Sequence, residues 1–268
     1  MEIRQRWVTE EYDGQSMRAY LARPASAGEA VLPTVIVIQE VWGVDEHIQD
    51  MADRFAAAGY QALAPDLYSL GEVPEALRPK RIQGVKRFLD TMPPQGWGDT
   101  AVREQYINKR PQPEAQNLRE TLALLFGPKD NSRFIGQLKA WVDFAEQNDS
   151  PVVSVGYCMG GGLSFLLATE DQRVKAAVCN YGTAPTEEAL ARIDTPVYGF
   201  YGGTDHRITD AVPSLAEGMA KLGKTFHYKI YAEAGHAFFN DSRASYNVNA
   251  ARDAWAETLS FFSRQLKN

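Results

Sequence analysis

The sequence predicts an α/β fold in which a mostly parallel central sheet is covered by helices on both faces. Continuous β-branched runs, PTVIVIQE at 33–40 and VVSVGY at 152–157, indicate strands that are buried on both faces. Segments with apolar residues at helical spacing follow these runs and lead to further strands. Because strands that alternate with helices form parallel sheets, the pattern predicts one layered α/β structure.

Composition narrows the class of protein. The chain has 268 residues, of which 44% are hydrophobic, and this suffices for one α/β domain over 1–268. Length alone also permits two domains, but no linker or composition break divides the chain. The net charge of −6 argues against nucleic acid or an anionic membrane as a partner. The charged start, MEIRQRW, lacks the apolar stretch of a signal peptide and no run is long enough to span a membrane, so we expect a cytoplasmic protein.

The first elements follow from local patterns. Glu2–Thr9 and Ser16–Arg23 alternate like two short strands, and Asp13-Gly14 between them is a turn signal. After the strand at 33–40, the sequence predicts a helix with Asp45 as its N-cap and Gly59 at its end, with Ile48, Met51, Ala52 and Phe55 on one face. The segment GYQALAPDLY (59–68) is then a strand and its exit loop.

The same alternation returns in the second half of the chain. The patterns predict strands at 152–157, Val174–Tyr181, Thr195–Tyr201 and Thr225–Tyr231, and helices at Met159–Thr169, at Asp210–Leu222 and within Ser242–Leu266. Each predicted helix lies between strands or closes the chain, as in a sheet covered on both sides.

The middle of the chain, from 68 to 150, contains no predicted strand. Its first part, about 70–117, is punctuated by proline and glycine and is predicted to be a lid-like helical insertion. Helical spacing follows from about 114 to 147 and predicts crossover helices. Long insertions are often functional, but surface decoration is an equally weighted interpretation of 70–117.

The motif with the clearest chemistry is Gly156-Tyr157-Cys158-Met159-Gly160, between a predicted strand and a predicted helix. Glycines on both sides of a nucleophile allow a very tight turn, and the following helix N-terminus favours a thiolate. A dinucleotide-binding loop is the first alternative, but Cys158 stands where its second glycine is required. A buried structural cysteine is the second alternative, and the strand and helix context weighs against it.

A cysteine nucleophile needs a base and a residue that orients the base. Of the histidines after Cys158, His206 and His227 have settings typical of surface or strand-packing residues. His236 instead follows a strand in a loop, at the edge of the sheet where ligands bind in open α/β folds. Asp205 follows the preceding strand, so the order along the chain is nucleophile, acid, histidine, as expected for this kind of site. A turn or N-cap role is the alternative for Asp205.

Four segments together resemble the dienelactone hydrolase family: QEVWGVDEHIQDMADRFAAAGYQALAPDLY, VGYCMGGG, YGGTDHRI and YAEAGHAF. The resemblance implies an α/β-hydrolase fold and hydrolysis of an ester or lactone by a Cys158–His236–Asp205 triad. It also implies that Glu40 takes part in switching the thiol to a thiolate when substrate binds, and that the N–H groups of Val41 and Met159 form the oxyanion hole.

The expected partner is a small-molecule ester or lactone, and neither a metal nor an organic cofactor is expected, because no ligand cluster is visible. The alternative function is a non-hydrolytic member of the family that uses Cys158 as a redox-reactive or ligand-binding thiol. A third possibility is an enzyme that cleaves a thioester or a peptide bond instead. The oligomeric state is left open.

Substrate contacts are predicted at Trp42, Phe238 and Arg243. The resemblance implies an arginine a few residues after the catalytic histidine to hold a substrate carboxylate, but Asn240 stands there. A second arginine is expected in 70–117, where several compete. The lid-like insertion and the apolar Trp42, Phe238 and Phe239 favour a larger or less acidic ester.

Overall fold

The computed structural model describes residues 1–93, 99–147 and 149–267. Its centre is an eight-stranded sheet with the order β1-β2-β4-β3-β5-β6-β7-β8. The strands are β1 (Ile3–Tyr12), β2 (Gln15–Pro24), β3 (Thr34–Ile38), β4 (Gln61–Pro65), β5 (Val152–Tyr157), β6 (Val174–Asn180), β7 (Val197–Gly202) and β8 (Phe226–Tyr231). Strand β2 is antiparallel to both of its neighbours, and the other pairs are parallel, which confirms the predicted mostly parallel sheet.

Helices cover both faces of the sheet. They are α1 (Glu46–Ala57), α2 (Pro79–Asp90), α3 (Thr100–Ile107), α4 (Gln112–Phe126), α5 (Asn131–Glu146), α6 (Met159–Glu170), α7 (Glu187–Ala191), α8 (His206–Thr209), α9 (Val212–Lys221) and α10 (Val248–Gln265). Short 3₁₀ turns occur at Ala25–Ala27 and Glu75–Leu77. Among the described residues, no helix has the length and apolar character needed to cross a membrane.

The sheet is buried on both faces because β3 and β5 carry apolar residues at successive positions. Val35 and Val37 of β3 belong to the apolar cluster that includes α1 and α10. Ile36 and Ile38 point the other way, into the cluster that includes α5 and α6. The alternation is what a strand with a period of two requires between two helical layers.

The first hairpin turns as predicted at Asp13-Gly14. Both residues have positive φ, 52° and 69°, which fits the type of two-residue turn that matches the twist of the strands. Tyr12 pairs with Gln15 across it, so β1 continues three residues beyond the predicted end at Thr9.

Several predicted boundaries were wrong by a few residues. Strand β7 begins at Val197 rather than Thr195, whose hydroxyl instead donates to the Val174 carbonyl. Helix α9 begins at Val212 rather than Asp210. The last helix occupies only Val248–Gln265, because Asn247 caps it by accepting from the Ala250 N–H at 3.1 Å.

The segment from 68 to 150 contains no strand within its described residues, as predicted. The predicted insertion, 70–117, holds α2, α3 and the start of α4, and its residues 94–98 lie outside the described part of the chain. Apolar residues of α2 and α4 share one buried cluster with Trp42 and Tyr68, which follow β3 and β4. The insertion therefore packs on loops at the carboxyl edge of the sheet, and its role as a lid stays a prediction.

Candidate active site

Cys158 lies at the turn between β5 and α6 in a strained backbone conformation, with φ 55° and ψ −117°. Its N–H donates to the Asn180 carbonyl at 3.0 Å, which holds the turn against β6. A Cβ atom on Gly156 would overlap the carbonyl oxygen of Gly160, and one on Gly160 would overlap the carbonyl oxygen of Ile38. The two glycines are therefore required for the close approach of strand, turn and helix.

The requirement for Gly156 can be tested by stability. We expect Gly156→Ala to lower the free energy of unfolding by about 2 kcal/mol or more, because the clash is with backbone that cannot rotate away. Gly218→Ala in α9 is the matched control, since a Cβ there meets open space and should stabilise the helix by about 0.5–1 kcal/mol. Urea unfolding of both variants makes the comparison; equal stabilities would contradict the account of the turn.

Three predicted residues from three separate strand ends meet beside this turn. The imidazole Nε2 of His236 lies 3.2 Å from Sγ of Cys158, and its Nδ1 lies 2.7 Å from Oδ2 of Asp205. Asp205 occupies the N-cap position of α8, but its side chain makes no cap hydrogen bond there. Its carboxylate is thus turned to His236, which is the arrangement needed to orient a base.

The groups in contact with His236 favour its imidazolium form. Burial alone acts to lower the pKa of His236, but the hydrogen bonds to Asp205 and Cys158, and their negative charge, raise it from 6.5 to about 10. The imidazolium therefore persists through neutral pH, where it can stabilise a thiolate on Cys158.

Glu40 is the buried carboxylate next to this site. It follows β3, is 2% exposed, and accepts a hydrogen bond from Nδ2 of Asn240 at 2.8 Å and one from the Tyr181 hydroxyl at 3.3 Å. Within the described ranges no hydrogen bond joins Glu40 to Cys158. The sulfur of Cys158 is instead within hydrogen-bond distance of His236.

Comparison with known proteins identifies the family. A model of the dienelactone hydrolase family matches residues 17–266. The chain belongs to the dienelactone hydrolase family. A relative from Saccharolobus solfataricus, provisionally named carboxymethylenebutenolidase, is 37% identical over 256 residues, which cover 95% of this chain and 96% of the relative. Family membership makes the protein a hydrolase with a small-molecule substrate.

Solved structures agree with this family. A provisionally named dienelactone hydrolase from Klebsiella pneumoniae aligns with a TM-score of 0.75 at 27% identity, covering 98% of this chain and 99% of that one. Est1E from Butyrivibrio proteoclasticus aligns with a TM-score of 0.62 at 14% identity, covering 98% and 99%, and so shares the fold. These similarities confirm the α/β-hydrolase fold that the sequence predicted.

The two residues predicted to supply the oxyanion hole of this dienelactone hydrolase fold, Val41 and Met159, lie in the loop after β3 and at the start of α6. Met159 is the first residue of α6, so its N–H has no carbonyl partner within the helix. Val41 follows Glu40, in the loop whose start packs directly against Gly160. The Tyr68 hydroxyl donates to the Val41 carbonyl at 2.9 Å and fixes the orientation of this loop.

Two of the predicted substrate contacts, Trp42 and Arg243, lie next to each other. Trp42 is 7% exposed, and the cationic groups of Lys86 and Arg243 lie 5.9 and 5.7 Å from the centre of its ring. Both cations also form ion pairs that link α2 to the rest of the site, Lys86 with Asp45 at 2.8 Å and Arg243 with Asp90 at 3.0 Å.

The third predicted contact, Phe238, is not brought to accessible space. It is completely buried and packs against the rings of Tyr181 and Tyr231. The structure thus places Phe238 beneath the site, where it supports Tyr181, rather than beside Trp42.

Tyr68 and Tyr181 were missed as site residues from the sequence, and Asn240 was noted only for the arginine it replaces. All three follow strands at the carboxyl edge of the sheet, and this position is the signal that could have indicated them. In the described part of the chain, no group of three or more His, Cys, Asp or Glu side chains is arranged to hold a metal.

Proposed function

We propose that the protein hydrolyses a carboxylic ester or lactone by covalent catalysis at Cys158. The observation that carries the proposal is the continuous contact from Sγ of Cys158 through His236 to Asp205, at 3.2 and 2.7 Å. A nucleophile, a base and an orienting carboxylate in one line are the components of acyl transfer.

Acylation begins when the Cys158 sulfur attacks the carbonyl carbon of the substrate. The carbonyl oxygen becomes an oxyanion, and the N–H groups of Val41 and Met159 donate to it. The tetrahedral intermediate collapses as the carbon–oxygen bond to the leaving group breaks, and His236 gives its Nε2 proton to the departing alkoxide. The product of this half-reaction is a thioester on Cys158 and a free alcohol, or an opened lactone that stays attached.

Deacylation reverses these roles. His236, now neutral, takes a proton from a water molecule, and the hydroxide attacks the thioester carbon. The carbon–sulfur bond breaks, the acid is released, and the thiolate is again paired with the imidazolium. Asp205 stabilises the charged ring in both halves through the contact to Nδ1.

The rest of the site supports hydrolysis over a redox function. The other cysteine, Cys179, is completely buried in β6, where burial raises the pKa of its thiol to about 11. It therefore does not resemble an accessible resolving thiol for Cys158. A catalytic thiol works only while reduced, which suits the cytoplasm as the proposed location.

Thiol alkylation tests the proposal on the wild-type protein, without a mutation. We expect iodoacetamide to abolish turnover of an unsaturated lactone and a small aryl ester in proportion to the fraction of Cys158 that is alkylated, as measured by peptide mass spectrometry. The ratio of the two rates reports whether a lactone or an open ester is preferred. Full activity after complete alkylation of Cys158 would contradict the proposal, as would failure to turn over either substrate.

A further inference from the structure

A cleft lies at the amino edge of the sheet, on the opposite side of the molecule from the carboxyl edge that holds the candidate active site. Its volume is about 360 Å³, which is within the range of sites for small molecules. It is bordered by residues at the amino ends of three parallel strands, Leu32 before β3, Gln61 at the start of β4 and Ser150 before β5. The residues proposed for catalysis follow the carboxyl ends of β5, β7 and β8. The cleft is therefore a separate site.

The floor of the cleft is built from buried polar side chains. Gln61 is 9% exposed and Ser150 is 5% exposed. The Ser150 hydroxyl donates to the Leu32 carbonyl at 2.6 Å and lies 2.7 Å from the Thr34 hydroxyl, which in turn accepts from Nε2 of Gln61 at 3.1 Å. Because these hydrogen bonds join three strands, the polar floor is fixed without any ligand.

Three arginines stand on one face of the hairpin that forms the wall of the cleft. Arg4 and Arg6 are two positions apart on β1, and Arg4 is directly opposite Arg23 on β2, so all three side chains share a face. Arg6 and Arg23 line the cleft, and Arg4 joins them in an adjoining space of about 160 Å³. Like charges directly opposite each other on paired strands are destabilising, so a negative charge between them would stabilise the hairpin.

The protein itself does not balance the charge of these arginines. Among residues 1–93, 99–147 and 149–267, none of the three forms an ion pair; Nη2 of Arg23 donates to the Ala30 carbonyl at 2.8 Å, and its Nε is buried without a partner. Glu29 and Asp149 also line the cleft, but both are exposed to solvent, and neither lies within ion-pair distance of an arginine in the described part of the chain. Even when both carboxylates are counted, three guanidinium groups leave this region with a net positive charge.

We propose that the cleft binds a small phosphate monoester, with the phosphate between Arg6 and Arg23 and the organic group toward Leu21 and Phe144, the apolar side chains that line the same space. A guanidinium group donates two parallel hydrogen bonds to phosphate oxygens, and a phosphate has enough terminal oxygens for two such groups. Its charge of nearly −2 at neutral pH also offsets more of the arginine charge than a single carboxylate does. The inference goes beyond the proposed function, because binding in the cleft requires no turnover.

Isothermal titration calorimetry at pH 7 and constant ionic strength tests the proposal with phenyl phosphate and succinate as probes. We expect saturable binding of one phenyl phosphate per chain, about tenfold tighter than the binding of succinate. Arg6→Gln and Arg23→Gln should each weaken the binding of phenyl phosphate by about tenfold or more, because each removes a charged hydrogen-bond donor. Arg252→Gln is the matched control, since Arg252 is an exposed arginine on α10 that lines neither space, and its affinity should equal that of wild type.

Three results would overturn the inference. They are no saturable binding of phenyl phosphate up to about 10 mM, binding that both cleft variants leave unchanged, and succinate binding as tight as that of phenyl phosphate. If Arg23→Gln does not fold, Arg6→Gln decides the matter, because Arg6 is exposed and its loss removes no ion pair among the described residues. A protein that hydrolyses no ester would contradict the proposed function only, and the calorimetric result would still decide whether the cleft binds a phosphate.

Discussion

Cys158→Ala is expected to lower kcat/KM for an aryl ester by about 10⁴-fold or more, to the level of background hydrolysis. The reason is that no other described side chain in contact with His236 Nε2 can attack a carbonyl carbon. Steady-state assays at neutral pH, with folding checked by circular dichroism, make the measurement.

Cys179→Ala provides the matched control for that experiment. Cys179 is the other free thiol, but it is completely buried on β6 and its sulfur contacts the Tyr201 hydroxyl at 3.8 Å. We expect its removal to change stability slightly and turnover hardly at all. A large loss of turnover in Cys179→Ala, together with retained activity in Cys158→Ala, would show that Cys179 is the nucleophile and would refute the mechanism.

His236→Gln is expected to lower turnover by at least about 10³-fold, because the site then lacks its base. The pH dependence follows from the pKa of His236, which is raised to about 10. The imidazolium is present below that pH and is lost as the pH rises through it. The imidazolium form of His236, and wild-type activity with it, should therefore persist through neutral pH. The stabilisation that His236 gives the fold should be complete below about 6.5 and disappear toward 10.

His206→Gln is the comparison for this variant. His206 is adjacent to Asp205 in sequence, but its side chain is 75% exposed and pairs with Asp210 on the surface. We expect wild-type turnover from this variant. If His206→Gln abolished activity, or if His236→Gln retained wild-type turnover, His236 would not be the partner of Cys158.

The parts of the site that the sequence predicted are those that follow from local pattern and strand order. Gly156 and Gly160 mark the turn around Cys158, and the ends of successive parallel strands place Asp205 and His236 at the same edge of the sheet. No contact had to be known in advance for this prediction. In the structure, His236 lies within hydrogen-bond distance of both Asp205 and Cys158.

What the sequence could not predict are the contacts that depend on how distant loops pack. Glu40 and Asn240 are 200 positions apart, and no local pattern pairs an amide with a carboxylate at that separation. Likewise, no pattern in the sequence indicates the ion pair between Arg243 and Asp90 on α2. Even the start of the last helix depended on the Asn247 cap, which helical spacing alone does not reveal.

The most direct test of the central claim is detection of the acyl-enzyme itself. Wild-type protein is mixed with an excess of p-nitrophenyl butyrate, quenched in acid during the first turnover, and digested for peptide mass spectrometry. The mechanism predicts a butyryl group on the peptide that contains Cys158, and its absence from the Cys158→Ala protein. Rapid turnover with no acyl group on Cys158, or with the acyl group on another residue, would contradict it.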